Sequence, residues 1–230
     1  MSLTKVSYAM IDGAVANVLD YGADSTGVED STTAITNALA AADVVYLPAG
    51  TYKVSQIVLT GSGNTALFGK TLRGAGIGGT NIVGDTAGTS VIRFGTTGGW
   101  VDEPNLQEYR ADYCGLENLT ISATDAYTYG IECQWMTNSS WRNISISSGG
   151  NIATGLYIDF SWNNDFVHTT VAADNGVQMG GHGPNRNSFH GLRVGGGGSS
   201  GVGFDFAGTA NGVYGLDASG YYSGVASSNG

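Results

Sequence analysis

The sequence carries the stretch "LENLTIS" at residues 116–122, and four similar stretches follow it. These are "WRNISIS" (141–147), "FVHTTVA" (166–172), "FHGLRVG" (189–195) and "VYGLDAS" (213–219). Their central residues are 25, 25, 23 and 24 positions apart: Leu119, Ile144, Thr169, Leu192 and Leu216. A second aligned set lies two positions later, at Ile121, Ile146, Val171, Val194 and Ala218. This period of two is typical of a β-strand with one buried face.

A second series of strand-like stretches lies between the first, and each begins with glycine: "GIECQW" (130–135), "GLYIDF" (155–160), "GVQMGG" (176–181) and "GVGFDF" (201–206). Each repeat of about 24 residues therefore supplies at least two strands and no helix. Such a repeat is typical of a parallel β-solenoid, in which each coil pairs with the next at ~4.8 Å. We predict an all-β solenoid from about residue 43 onward, with Leu119, Ile144, Leu192 and Leu216 stacked inside.

One short helix is predicted ahead of the repeats. Asp30, Ser31 and Thr32 are candidate N-cap residues. The apolar residues that follow share one helical face: Ala34, Ile35, Ala38, Leu39 and Ala42. The segment therefore predicts a short amphipathic helix that buries this face.

The first quarter of the chain resembles a known superfamily. The stretch "NVLDYGADSTGVEDSTTAITNALAAADVVYLPAGTYKVS" (17–55), followed by "TLRGAG" (71–76), is similar to the start of pectate-lyase-like, right-handed parallel β-helices. The residues before it, "LTKVSYAMIDGAVANVLDYGAD" (3–24), resemble the junction that precedes the β-helix in bacteriophage tailspikes. The resemblance implies a homotrimeric virion protein that binds, and often cleaves, a bacterial surface polysaccharide.

The resemblance also divides the chain into three parts. Residues 1–15 are a junction segment, and residues 16–42 hold the opening motif and the helix, which would cap the solenoid. Residues 43–230 form the right-handed parallel β-helix. The closing stretch "YYSGVASSNG" (221–230) aligns with the second series of strands and stops partway through a coil. We expect further chain beyond it, or other copies in a trimer that cover the exposed end.

Composition narrows the partners and the location. The formal net charge is −10, only 12% of residues are charged, and no basic run is present; this argues against nucleic acid, whose phosphates require clusters of Lys and Arg. No apolar run reaches the length of a membrane span or of a signal peptide. We therefore predict no membrane insertion; the resemblance to tailspikes implies a virion tail location, reached by cell lysis. Cys114 and Cys133 are predicted to be buried free thiols.

Alternation along the second series predicts six outward side chains: Glu132, Gln134, Tyr157, Asp159, Gln178 and Asp205. In this alignment Asp159 and Asp205 share a column two coils apart, at about 10 Å between Cα atoms. That spacing is close to the ~6.5–9.5 Å between the carboxyl groups of inverting glycosidases. Glu132 offers a closer partner for Asp159. The predicted catalytic residues are Asp159, Asp205 and Glu132, and the predicted substrate-binding residues are Tyr157, Trp135, Trp162, Gln134 and Gln178.

Other chemistries have weaker support. The "GAGIGG" run (74–79) has the spacing of a dinucleotide site, but a turn-rich β segment follows where such a site needs a helix. Arg142 and Arg193 could serve as the base of a lyase, yet no acidic calcium cluster faces them. His168, His182 and His190 are scattered between different columns and a loop. No metal and no cofactor are predicted.

Three functions remain open. The favoured one is a tailspike-like depolymerase, a hydrolase rather than a lyase, that works with other phage tail proteins on a bacterial surface polysaccharide. The alternative is a non-catalytic receptor-binding or structural tail module. The third is a bacterial carbohydrate-active enzyme.

Overall fold

The computed structural model describes residues 15–61, 66–96, 110–195, 201–206, 208, 211–219 and 223–227. These residues form a parallel β-helix, because strands of successive coils pair in parallel and in chain order. The fold predicted from the repeats is thus confirmed.

The described residues form three sheets that run along the molecule. Sheet 1 contains 13 strands: β1 (Ala16–Asn17), β2 (Thr26–Asp30), β3 (Val44–Leu47), β4 (Gly50–Val54), β7 (Thr71–Gly74), β8 (Thr80–Gly84), β11 (Gly115–Ala123), β14 (Ser140–Ser147), β16 (Asp165–Ala172), β18 (Ser188–His190), β19 (Arg193–Gly195), β21 (Gly212–Tyr214) and β22 (Asp217–Ser219). Sheet 2 contains seven: β5 (Ile57–Leu59), β9 (Gly88–Phe94), β12 (Tyr127–Gln134), β15 (Ile152–Asp159), β17 (Asn175–Met179), β20 (Val202–Phe206) and β23 (Ser223–Ser227). Sheet 3 contains β6 (Leu67–Phe68), β10 (Ala111–Asp112) and β13 (Met136–Thr137).

The predicted stacking inside sheet 1 is observed for Leu119, Ile144 and Leu192, which are buried, whereas Leu216 is only partly buried. Leu119 pairs with Ile144 and Ile144 with Thr169, and the next column runs from Ile121 through Ile146 to Val171. All of these side chains are buried. Each coil therefore adds one layer of side chains to a continuous core.

The helix α1 (Thr32–Ala41) buries Ala34, Ile35, Ala38 and Leu39, as the sequence predicts. Its N-cap residue is Ser31, but Asp30 provides the capping contact by accepting a hydrogen bond from the Thr32 amide at 2.8 Å. The helix packs against β1, β3 and β5, which are the first strands of sheets 1 and 2. It therefore covers apolar side chains of the first coil.

Sheet 1 begins earlier than predicted. Two short strands, β1 and β2, precede the helix, and Ala16 of β1 pairs with Val45 of β3. The segment before residue 43 thus adds two strands to sheet 1 besides the helix. β1 has only two residues, and the five residues of β2 have no buried face, so neither strand shows alternating apolar residues in the sequence.

The glycine run that resembles a dinucleotide site makes a turn. The amides of Gly79 and Thr80 both donate to the Gly76 carbonyl at 3.0 Å, and β8 follows directly. These glycines therefore form a tight corner, and a strand follows where a dinucleotide site would need a helix.

Asparagines form a ladder at the corner between sheets 3 and 1. The Asn164 side chain accepts a hydrogen bond from the Ser139 amide, and Asn187 and Asn211 repeat this contact on the next two coils. The residues directly before Asn164 and Asn187 have positive φ: Asn163 (56°) and Arg186 (55°). The ladder satisfies backbone amides that the turn leaves unpaired.

Glycines form a column inside sheet 2. A Cβ atom added at Gly155 would lie 2.0 Å from Val171 Cγ1, and one at Gly130 would lie 2.8 Å from Ile146 Cγ2. At Gly176 it would meet the Gly203 carbonyl oxygen at 2.2 Å. Sheets 1 and 2 approach so closely here that no side chain fits, which explains the glycine at the start of the first three strand-like stretches; in the fourth, Gly203 rather than Gly201 lies beside Gly176.

Gly155→Ala is expected to lower the free energy of unfolding by about 1–3 kcal/mol, because the new methyl group displaces Val171 in a packed core. Denaturant unfolding followed by circular dichroism measures this loss. Gly149→Ala is not an equivalent control, because Gly149 has positive φ; Gly181→Ala is suitable, since an added Cβ meets nothing within 4 Å there. Equal stability of G155A and the parent protein would contradict this account of the column.

Candidate functional site

Four polar side chains meet on the outer face of sheet 2, at the end of its strands. Ile131 and Cys133 of β12 are buried in the core, so Glu132 and Gln134 lie on the opposite face. Glu132 pairs with Tyr157 of β15 and Gln134 pairs with Asp159. We call Glu132, Gln134, Tyr157 and Asp159 the carboxylate cluster.

Hydrogen bonds connect this cluster. Gln134 Nε2 donates to Glu132 Oε1 at 2.9 Å, and the Tyr157 hydroxyl donates to Asp159 Oδ2 at 3.2 Å. Tyr129 stacks on Tyr157 with ring centroids 4.6 Å apart. Burial and the nearby Asp159 raise the pKa of the Tyr157 hydroxyl, so Tyr157 remains a hydrogen-bond donor at neutral pH.

Glu132 is a carboxyl group in a nearly closed environment. Its residue is 1% exposed, and Ser90 Oγ donates to Oε2 at 3.0 Å. Burial raises the pKa of Glu132, although hydrogen bonds from Ser90 and Gln134 and the charge of Arg93 act in the opposite direction. A carboxyl group whose pKa is raised holds its proton to higher pH, as a general acid must.

The raised pKa of Glu132 predicts a pH dependence of stability. Above about pH 4.5 the unfolded chain loses this proton while the folded protein keeps it, so the folded state binds more protons. The free energy of unfolding must then fall as pH rises through the folded pKa of Glu132.

Glu132→Gln is expected to remove this decline. Urea unfolding of both proteins across the acidic to neutral range measures the difference between them. The stability of E132Q relative to the parent should rise with pH. If the stabilities of E132Q and the parent changed with pH in parallel, Glu132 would have the same pKa in the folded and the unfolded state.

Asp159 is almost fully buried, with 3% of its surface exposed. Its Oδ1 accepts the amides of Phe160 and His182, both at 3.0 Å. Its Oδ2 accepts the Tyr157 hydroxyl and lies 2.9 Å from His182 Nδ1. Since an ionised carboxylate only accepts hydrogen bonds, this contact requires a hydrogen on Nδ1 of His182, and Nε2 can accept a proton when the ring is neutral.

His182 is the residue of this site that sequence reasoning missed. Its side chain is 56% exposed and stacks on Phe160, which stacks in turn on Trp135. The loop after β17 returns it to Asp159 of the preceding coil, a contact that no spacing in the sequence indicates. One signal is the glycine pair before it: a Cβ at Gly180 would lie 2.3 Å from Asp159 Cγ, so only glycine leaves room for the carboxylate.

Asp205 does not share a column with Asp159, so that predicted pairing is wrong. Gln178 pairs with Tyr157 on one side and with Asp205 on the other, which places Asp205 in the column of Glu132. From this register, Asp159 and Asp205 are about 12 Å apart at Cα, whereas Glu132 and Asp159 are about 8 Å apart. Gln178 and Asp205 line a separate, small pocket of about 120 Å³.

The two tryptophans also meet. Trp135 is 2% exposed, and its ring contacts that of Trp162 edge to face at 5.7 Å. Together they line a pocket of about 330 Å³, which we call the tryptophan pocket. Its lining residues are Arg110, Trp135, Thr137, Asn138, Trp162 and Asn163.

Arg193, His190 and His168 lie in sheet 1, away from the cluster, and the two thiols lie in the core. Arg193 pairs with Asp217 in sheet 1, as the alignment predicts. His190 pairs with Val167 and stacks on Tyr214, so it lies in a different column from His168. Cys114 and Cys133 are free and buried, as predicted.

The coils, the capping helix and the register define the class of this protein: it has a parallel β-helix fold. Residues 15–108 match the family described as "Rhamnogalacturonase A/epimerase, pectate lyase-like". The predicted resemblance to this superfamily is therefore confirmed.

Solved structures with the same fold come from several biological settings. ORF18 of Geobacillus virus E2 is 23% identical with a TM-score of 0.64, over 88% of this chain and 41% of that one. The A-module of the mannuronan C-5 epimerase AlgE4 from Azotobacter vinelandii is 19% identical with a TM-score of 0.53, over 91% and 73%. PfbA, a surface adhesin of Streptococcus pneumoniae, is 15% identical with a TM-score of 0.50, over 88% and 62%.

These likenesses concern the fold. The chain spans about two fifths of the length of the Geobacillus virus protein. No curated protein matches its sequence. Within the described residues, no helix has the length and apolarity needed to cross a membrane.

Proposed function

We propose that this chain is part of a tailspike-like phage protein that binds a bacterial surface polysaccharide and hydrolyses it at the carboxylate cluster. The observation that carries the proposal is the pair formed by Glu132, with its raised pKa, and Asp159, which holds the exposed His182. The fold shared with a Geobacillus virus protein supports a phage origin. A homotrimer attached to other tail proteins of the virion belongs to the same proposal.

The proposed reaction assigns one proton transfer to each half of the site. Protonated Glu132 gives its proton to the leaving oxygen as the glycosidic C–O bond breaks. A water oxygen bonds to the sugar carbon, and its proton passes to Nε2 of His182, whose ring Asp159 orients. Inversion of this kind requires space for one water between the acid, Glu132, and the base, His182.

The charge of the chain favours a neutral or weakly charged polymer. With a formal net charge of −10, the protein repels a strongly acidic polysaccharide at long range. The stacked pair Tyr129 and Tyr157 adds an aromatic surface beside the cluster.

The test is a cleavage assay on a panel of purified capsular and O-antigen polysaccharides. Hydrolysis generates new reducing ends without the ultraviolet absorbance of unsaturated sugars, and this is the result we expect for one polymer of the panel. Unsaturated ends would mean a lyase. No cleavage of any polymer that the protein binds would overturn the hydrolase proposal.

A non-catalytic receptor-binding module is the second candidate, and the burial of both carboxylates favours it. Glu132 and Asp159 are 1% and 3% exposed, so a substrate reaches them only if neighbouring side chains move. The same fold serves a surface adhesin of Streptococcus pneumoniae. Binding without new reducing ends is the outcome that would identify this function.

A further inference from the structure

The tryptophan pocket lies on the outer face of sheet 3, and its Trp135 is linked to His182 of the candidate site through the stacked ring of Phe160. Thr137 of β13 forms isolated parallel bridges with Trp162, and Trp162 forms one with Asn185, so this face continues over further coils. Trp162 is half-buried, while Asn138 and Asn163 are exposed. The volume of about 330 Å³ is at the lower end of the ~300–1,000 Å³ typical of small-molecule sites.

The floor of the pocket is polar but electrically balanced. Arg110 Nη2 lies 2.9 Å from Asp112 Oδ2 and donates to Thr137 Oγ1 at 3.1 Å. Asp112 is 2% exposed and also accepts the Thr137 hydroxyl. Because the buried carboxylate neutralises the guanidinium, the pocket has no free charge with which to select an ion.

Exposed aromatic rings continue this face towards the N-terminal coils. Asp112 of β10 pairs with Thr137 on one side and with Phe68 of β6 on the other. Phe68 therefore lies two coils from Thr137. Phe68 and Tyr113 are 52% and 60% exposed, and their rings stack at 6.3 Å. Large exposed aromatic rings on a protein surface mark binding sites more often than isolated apolar residues do.

We infer that this face of sheet 3 is a binding site for a neutral glycan segment, with one sugar ring in the tryptophan pocket. The apolar C–H face of a pyranose packs against an indole ring, and its hydroxyl edge requires groups that both donate and accept. The amides of Asn138 and Asn163 have both capacities. The inference deepens the proposed function, since the ligand is the polysaccharide of that proposal.

Binding of the same polysaccharide panel, immobilised on an array, tests the site. Every protein carries Glu132→Gln, so that cleavage does not consume the ligand. Trp162→Ala is expected to weaken binding by about tenfold or more, the loss equivalent to one stacked ring. Asn163→Gly removes an amide but keeps the positive φ of 56°, and should weaken binding without strain. Tyr214→Ala is the matched control, because Tyr214 is 60% exposed but lies in sheet 1.

The outcomes separate this site from the proposed function. Weaker binding by W162A and N163G, with Y214A and the melting temperatures unchanged, supports the site. Unchanged binding by W162A and N163G overturns the inference, while cleavage measured without the Glu132 substitution leaves the proposed function standing. A parent protein that neither binds nor cleaves any polymer overturns both.

Discussion

Replacement of Ile144 by aspartate is expected to abolish the cooperative fold. Ile144 is fully buried between Leu119 and Thr169 of the neighbouring coils, and β14 pairs on both sides. An aspartate there would be an unpaired charge in an apolar stack, at a cost of at least about 4 kcal/mol. Circular dichroism and urea unfolding measure the loss.

Ser147→Asp is the control for Ile144→Asp. Ser147 belongs to the same strand but is exposed, so the same new charge remains in water. Its stability should stay within about 0.5 kcal/mol of the parent. If I144D and S147D melted alike, the assignment of inner and outer faces would be wrong.

Glu132→Gln is expected to reduce polysaccharide cleavage by about 10²–10⁴-fold, the usual contribution of a general acid. Glutamine keeps the size of the side chain but has no proton to give. The rate of reducing-end formation measures the loss, with binding to the same polymer measured in parallel.

Asp205→Asn is the matched control for this substitution. Asp205 lies in the column of Glu132, but three coils away, at about 14 Å between Cα atoms. D205N should therefore cleave at the parental rate. A loss of cleavage in D205N with full activity in E132Q would move the catalytic site to the small pocket beside Gln178.

Much of the architecture is readable from local patterns. The columns that begin at Leu119 and Ile121 are visible because the coil length is nearly constant and apolar residues alternate along each strand. The helix is visible because its buried face, with Ile35 and Leu39, has helical spacing. The proximity of Glu132 and Asp159 follows from the same alignment, because the stretches "GIECQW" and "GLYIDF" align residue for residue without a gap.

The register with which β20 pairs with β17 could not be predicted from the sequence alignment. "GVGFDF" offers two glycines, and aligning Gly201 with Gly176 puts Asp205 in the column of Asp159. The structure instead aligns Phe204 with Val177. A shift of two residues leaves every side chain on the same face, so alternation cannot distinguish the two registers.

The sequence by itself determined the parallel solenoid, the capping helix and the outer face that carries Glu132 and Asp159, because periodicity and coil length are local properties of the chain. Only the tertiary structure decided which side chains meet at the corners. His182 reaches Asp159 from 23 residues away, and Trp162 meets Trp135 at a turn with positive φ. These contacts depend on how each turn packs against the preceding coil, and no period in the sequence records that packing.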